Sequence, residues 1–415
     1  MTTIKRFSNG LKLVVRKIEG LLSVSCGVLV KTGSVNESEE ENGLSHFIEH
    51  TVFKGTEKRS AFDISDDIDC IGAQINAFTS KEITCFYTKS TSEHLEQSME
   101  ILSDIFFNAT FKEEELEKEK GVIIEEINMS EDTPEDLCLD LLAKGYYGDK
   151  GLGRTILGSI NNIKRFTKKD VLKYMDKYYA ADNVVISVAG NVDVKYAEEI
   201  AEKYFAEKFT RIKSAAQFVT GGTYKENLRK IKKIEQAHIG LCFPTFKSGD
   251  DRSDALAIAN TVFGGGMSSR LFQKIREEMG LCYTVYSYPS QYKDSGVIEI
   301  YAGVNAKLRD TAANAVIDEL RRINKSGVTK EEFLRGKEQV KSSLIMGQES
   351  TASQMLLFGK YLLFFDKEFD FDKRIRGIDD ITLEQVNTLT SEYFCTDKLS
   401  AAAVGAERSA LKLKL

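Results

Sequence analysis

The chain is 415 residues long, enough for two or three domains, and its 42% hydrophobic and 29% charged residues are an ordinary globular balance. A formal net charge of −6 argues against a general nucleic-acid binder, which needs a basic face for phosphates. No apolar run approaches the roughly 20 residues of a membrane span, so none is expected.

In chain order, residues 4–7 and 11–16, joined by Ser8-Asn9-Gly10, read as a hairpin. They lack the character of a secretory signal or a transit peptide, so a cytoplasmic, bacterial-like location is expected. Residues 22–32 form a continuous apolar run fit for a central strand. Next comes Leu44-Ser45-His46-Phe47-Ile48-Glu49-His50, which holds two of the chain's four histidines. On a helix, positions i and i+4 share one face, about 5–6 Å apart at Cβ. Two imidazoles there reach one ion at the roughly 2.0–2.1 Å of zinc–nitrogen bonds. Glu49 projects from nearly the same face, where it can work on a water without ligating the metal. This is the H-x-x-E-H pattern of zinc peptidases. Asn42-Gly43 supplies a turn ahead of the helix, and Phe47 and Ile48 give it core-facing bulk.

A helix over 61–71, strands over 74–78 and 84–90, and helices over 93–107 and 112–129 follow. The first half closes on an apolar strand at 183–190. The second half repeats the plan. It offers a strand at 238–243, helices at 251–262 and 271–279, and strands at 283–287 and 296–304. Helices at 309–324 and 330–349 precede a closing strand at 399–406. The two closing strands resemble each other about 215 residues apart, the mark of an internal duplication. The fold class expected is therefore α+β, with two homologous α/β-sandwich-like domains at 1–210 and 227–415. Ser, Gly, Lys and Thr content makes 211–226 the linker. The seven cysteines show no C-x-x-C spacing and read as reduced thiols of a cytosol-like compartment.

A third metal ligand must come from another element, because one helix cannot surround an ion. The helix over 112–129 offers Glu113, Glu114, Glu115, Glu117, Glu119, Glu125 and Glu126. Glu119, Ile123, Glu126 and Ser130 share one stripe, whereas Glu125 falls on a face with Lys118, Gly121 and Val122. Glu113–Glu117 read as a solvated face paired with lysines. Glu126 lies among Ile123, Ile124 and Ile127, where a carboxylate needs a charge partner that a zinc ion would supply.

His46-Phe47-Ile48-Glu49-His50 with Phe53-Lys54-Gly55-Thr56 resembles the M16 (pitrilysin/insulinase-type, inverzincin) metallopeptidases, and most of all their short, two-domain M16B-like members such as the mitochondrial processing peptidase. Glu126 lies 76 residues beyond His50, a gap common in that family, and Glu125-Glu126-Ile127-Asn128-Met129 with Asp132 and Pro134 matches its pattern there. The resemblance implies Zn²⁺ on His46, His50 and Glu126, with Glu49 as catalytic base and Glu119 assisting catalysis or metal binding. It implies that the segment 72–79, with Asn76, Ala77 and Phe78, is an edge strand to which a peptide substrate adds as a further strand. Gly264-Gly265-Gly266 lacks the Gly-Lys-Ser/Thr ending of a phosphate loop and instead resembles the family's second-domain signature. There Arg276 and Tyr283 would contact substrate and the developing oxyanion. The second half has no H-x-x-E-H, so it is expected to be an inactive copy closing the site. The family's chambers are built of four domains, which implies a homodimer of this two-domain chain, with Arg276 and Tyr283 acting across it. Short or unfolded peptides are the expected substrates. The alternative is a non-catalytic peptide-binding or scaffold subunit of the same fold.

Overall fold

The computed structural model describes residues 1–210, 213–214 and 218–415; residues 211–212 and 215–217, within the expected linker, lie outside the described residues. The chain packs as two compact units, each assembled from separate stretches of sequence.

The first unit comprises Met1–Ile127, Thr155–Val219 and Gly347–Phe369. Its sheet contains β1 (Thr2–Arg6), β2 (Lys12–Lys17), β3 (Ser23–Val30), β4 (Gln74–Thr79), β5 (Thr84–Thr91) and β6 (Val184–Gly190). The order is β1-β2-β6-β3-β5-β4, which leaves β4 at an edge. Every residue of β6 is buried, as a β-branched run between two neighbours requires. On one face pack α1 (Leu44–Thr51), α2 (Ala61–Cys70), α3 (Leu95–Asn108), α7 (Lys168–Tyr178) and α8 (Val194–Tyr204), with α6 (Ile160–Arg165) beside them. Val24, Cys26, Val28 and Val30, alternating along β3, meet Phe47, Ile48, Met99 and Leu102 there. Phe47 and Ile48 are fully buried, each contributing about 1.5–3 kcal/mol relative to exposure. The apolar side of α1 thus fixes where its polar side points.

The opposite face of this sheet is covered by α12 (Thr351–Phe365), which comes from the second half of the chain. Ser25 Oγ and Thr351 Oγ1 are 2.9 Å apart, and Ser187 Oγ donates to the Met355 carbonyl at 2.7 Å. Small residues permit this close approach. A Cβ on Gly27 would stand 2.3 Å from Met355 Sδ, and one on Gly359 would stand 2.9 Å from Leu29 and Ser187 side chains.

The second unit comprises Asn128–Arg154, Thr220–Met346 and Asp370–Leu415. Its strands are β7 (Asn227–Ile231), β8 (Gln236–Thr245), β9 (Cys282–Gln291), β10 (Gly296–Asn305) and β11 (Ser400–Gly405), in the order β7-β11-β8-β10-β9. That repeats β2-β6-β3-β5-β4 strand for strand, including the one parallel pair, β2 with β6 and β7 with β11. One face holds Ile239, Leu241 and Phe243 against a core shared by α9 (Ser253–Phe263), α10 (Arg309–Ser326), α11 (Lys330–Met346) and α14 (Leu383–Tyr393), with α13 (Phe371–Asp380) outside α11. The other face carries α5 (Pro134–Tyr147), from the first half of the chain. Cys138 Sγ of α5 donates to the His238 carbonyl at 3.4 Å, and Gly240 makes room for Cys138 and Leu142. Each half therefore lends a helix to the sheet of the other, so the units of packing are not the continuous halves of the sequence.

The helix expected over 271–279 is π-helical across Phe272–Glu278. The Met279 N–H reaches the Lys274 carbonyl, five residues back, at 3.1 Å. Such wide turns accommodate one extra residue and are frequent at functional sites.

Candidate active site

α1 is preceded by Gly43, whose φ of 100° is a left-handed conformation that glycine adopts freely. A Cβ there would also stand 2.7 Å from the Leu157 carbonyl oxygen. The first N–H groups of α1 have no partners within the helix, and a buried carboxylate serves them. Glu37 accepts from the Gly43 N–H on Oε2 and the Ser45 N–H on Oε1, both at 2.8 Å, and from Asn42 Nδ2 at 3.0 Å. Burial pushes the Glu37 carboxyl above its ordinary pKa, against these hydrogen bonds.

One turn apart on α1, the rings of His46 and His50 lie 4.6 Å centroid to centroid, edge to face. His46 is buried, and that burial, helped by the charge of His50, lowers its pKa to about 4. Its ring therefore stays neutral with a lone pair free to ligate. Glu49 lies between them in sequence, and Thr79 Oγ1, at the end of β4, donates to its Oε2 at 2.7 Å. Burial raises the Glu49 carboxyl above its usual range, with the Thr79 hydrogen bond opposing that rise.

The third group arrives on α4 (Glu113–Asp132). The chain leaving α1 is tied to the chain entering α4. The Gly55 carbonyl accepts from the Thr110 N–H at 3.0 Å, Thr56 bridges Ala109, and the Glu57 N–H donates to the Asn108 carbonyl at 3.2 Å. Phe111 turns the chain into α4 with a φ of 48°, unusual for a non-glycine residue, and its side chain is buried. Ile123 and Ile127 then seat α4 on the core, which turns Glu119 and Glu126 toward α1. Glu125 is exposed, as its helical phase implies.

Glu126 Oε2 is 3.5 Å from His46 Nε2 and 3.5 Å from His50 Nε2. Ligand atoms about 2.0–2.1 Å from a tetrahedral ion stand about 3.4 Å from one another. The spacing is therefore that of donors around a shared ion. Glu126 Oε2 and His46 Nδ1 are both buried with no hydrogen-bond partner, so neither ring donates a proton to the carboxylate. An orphaned buried oxygen at the meeting point of two imidazole nitrogens is what a divalent cation satisfies. Among the described residues, His46, His50 and Glu126 are the group that could hold a metal ion. The donor set, two imidazoles and a carboxylate, suits zinc with one coordination position left open.

Glu119 stands outside that set. Its Oε2 is 3.4 Å from His50 Nδ1, and its Oε1 is 2.7 Å from Lys54 Nζ. Asn76, Ala77 and Phe78 lie on the edge strand β4, where Asn76 Oδ1 accepts from the Ala77 N–H at 2.8 Å. Arg276 and Tyr283 belong to the second unit. The Arg276 guanidinium lies over the Phe272 ring at 4.6 Å and over the Tyr283 ring at 5.0 Å, and Tyr283 is 77% exposed. The sequence pattern does not single out Glu37, Lys54 or Thr79 for roles. Glu37 lies outside the usual capping position. Only the i+4 offset of Lys54 from His50 hints at a shared face.

Among the described residues no helix is long and apolar enough to cross a membrane. Residues 14–160 match the model of the insulinase family, peptidase family M16, and residues 165–340 match that of the peptidase M16 inactive domain. A Bacillus subtilis protein named uncharacterized zinc protease YmxG is 42% identical over 95% of this chain and 96% of its own. An uncharacterized zinc protease of Rickettsia felis is 36% identical over 96% of each chain. Among solved structures, a protease from Helicobacter pylori superposes with a TM-score of 0.87 over 98% of this chain and 99% of its own, at 22% identity. A Pseudomonas fluorescens structure described as a peptidase M16 inactive domain gives 0.91 over 100% and 99%, at 20% identity. The chain is a member of the M16 (insulinase) family of zinc peptidases.

Proposed function

We propose that this chain is a zinc endopeptidase of short or unfolded peptides, with His46, His50 and Glu126 holding the metal and Glu49 acting as the base. The observation that carries the reading is the meeting of His46 Nε2, His50 Nε2 and Glu126 Oε2, with Glu49, the residue before His50, outside the donor set. Zinc bound by such donors supplies Lewis acidity, which brings the pKa of a coordinated water toward about 7. Glu49 takes a proton from the attacking water and returns it to the leaving amine. Burial makes this carboxylate a better proton acceptor than an exposed one. Thr79 holds the Glu49 carboxylate in place during both transfers.

The peptide adds as a strand to the open edge of β4, along Asn76, Ala77 and Phe78. Main-chain hydrogen bonds would then carry affinity with little demand on side chains. The unpaired N–H and C=O groups of an edge strand are the template such pairing needs. The working form is a homodimer, in which Arg276 and Tyr283 of one chain face the zinc site of the other and complete a closed chamber. The exposure of Tyr283 supports that role, and the half-buried Arg276 guanidinium lies stacked on its ring. A reducing, cytosol-like compartment suits the seven cysteines, all of them free thiols.

The test is Glu49→Gln. The variant is expected to bind zinc like the wild type and to lose peptide hydrolysis by about 10²–10⁴-fold, the usual worth of a general base. Full activity in a zinc-loaded Glu49→Gln protein would sink the proposal.

A further inference from the structure

Lys54 lies four residues beyond His50, in the turn Val52–Lys54 that prolongs α1, and so on the same side of the helix. Its Nζ is 2.7 Å from Glu119 Oε1, and the other oxygen of that carboxylate is 3.4 Å from His50 Nδ1. The Glu119 side chain is only 6% exposed. A carboxylate so far from water needs a cation or several donors beside it, and Lys54 is the cation at ion-pair distance. The two imidazoles are therefore held by different means. His46 is fixed by burial, with its Nδ1 unpartnered, whereas His50 is backed by a charged chain that ends on Lys54.

We propose that Lys54 is a positioning residue of the metal centre, holding the Glu119 carboxylate against His50 Nδ1 and so setting the direction and donor strength of His50 Nε2. This rests on the zinc reading above. A carboxylate accepting from Nδ1–H fixes the imidazole tautomer and makes the far nitrogen a better ligand. The turn that carries Lys54 does not depend on the ion pair for its shape. Gly55 and Thr56 are held by Thr110, Ala109 and Arg59 through main-chain bonds, and a φ of 119° at Gly55 ends the turn. The Lys54 side chain thus has a local role in the carboxylate rather than in the backbone.

The experiment measures zinc dissociation constants of the full chain by competition with a chromophoric chelator. The proteins are the wild type, Lys54→Met, Lys54→Gln, Lys54→Arg, Glu119→Gln and the Lys54→Met/Glu119→Gln pair, each checked for folding by circular dichroism. Lys54→Met and Lys54→Gln are expected to weaken zinc binding about 10–100-fold, the usual cost of losing an outer-shell partner. Lys54→Arg restores most of that loss. In the Glu119→Gln background, Lys54→Met adds little, because the two residues act on His50 as one chain. The visible absorption spectrum of the cobalt(II)-substituted protein shifts in Lys54→Met and returns in Lys54→Arg. Wild-type zinc affinity in folded Lys54→Met and Lys54→Gln overturns the inference, as does an equal loss in both backgrounds. A wild-type chain that takes up no zinc overturns the zinc reading itself, so the two failures are distinguishable.

Discussion

Thr79 Oγ1 donates a 2.7 Å hydrogen bond to Glu49 Oε2. Thr79 is the last residue of the open edge strand, and Glu49 is the carboxylate proposed as base, so one side chain joins the strand that would receive substrate to the group that would move protons. A hydrogen bond to a charged group is worth about 1.5–3 kcal/mol, or roughly 10–100-fold in rate if it matters most in the transition state. Thr79→Val is expected to lower kcat by that factor with zinc content unchanged, and Thr79→Ser to recover most of it. Steady-state kinetics on a quenched fluorescent peptide, beside metal analysis, decide the point. Loss of zinc in Thr79→Val would instead make Thr79 a structural residue of the metal site.

Glu37 is expected to matter for the stability of α1 before it matters for chemistry. Its two oxygens serve two main-chain N–H groups at the start of α1, the helix that carries His46 and His50. Glu37→Ala leaves both unpaired in a buried place, at a cost of about 2–3 kcal/mol. Glu37→Gln keeps one acceptor and should cost less. Urea unfolding of the metal-free protein, followed by circular dichroism, measures both. Equal stability of Glu37→Ala and wild type would remove Glu37 from this role.

Action across a homodimer has a quantitative signature. Tyr283→Phe removes a proposed oxyanion donor, a loss expected to cost about 10²–10³ in kcat. Mixed in equal amounts with Glu49→Gln and reassembled, it should recover about a quarter of wild-type activity. Half of the randomly formed dimers are then mixed, and one of the two sites in each is intact. No recovery at any ratio, in protein shown to exchange subunits, would place Tyr283 with the zinc site of its own chain.

Much of the site could be read from the sequence because its parts obey local rules. The spacing of His46 and His50 needs only a helix, and Glu126 separates from Glu125 by helical phase among isoleucines that end up buried at Ile123 and Ile127. The strands are legible for a similar reason, as in β6, which is apolar but for Ser187. What local pattern could not supply is the partner of each element. The run that forms α12 carries apolar residues on several sides, including buried Met355, Phe358, Leu362 and Leu363, and nothing in it says which sheet it covers. Its docking on β3 depends on the absence of a side chain at Gly27, more than three hundred residues away. The π-helical turn at Phe272–Glu278 is hidden for another reason, since a run of seven residues is too short for its wider period to show in the apolar spacing. Glu37 is hidden because its carboxylate reaches back to α1 from six residues ahead of Gly43, farther than any capping pattern extends.

The central claim, a metal held by His46, His50 and Glu126 and used to cleave peptides, is tested most directly by zinc content per chain. It should be read beside cleavage of a quenched fluorescent basic peptide with and without a chelator. About one zinc per chain, with cleavage abolished by chelator and restored by added zinc, is the expected result. A folded protein that binds no zinc and cleaves nothing under either condition would contradict the account and turn it toward a non-catalytic member of the same fold.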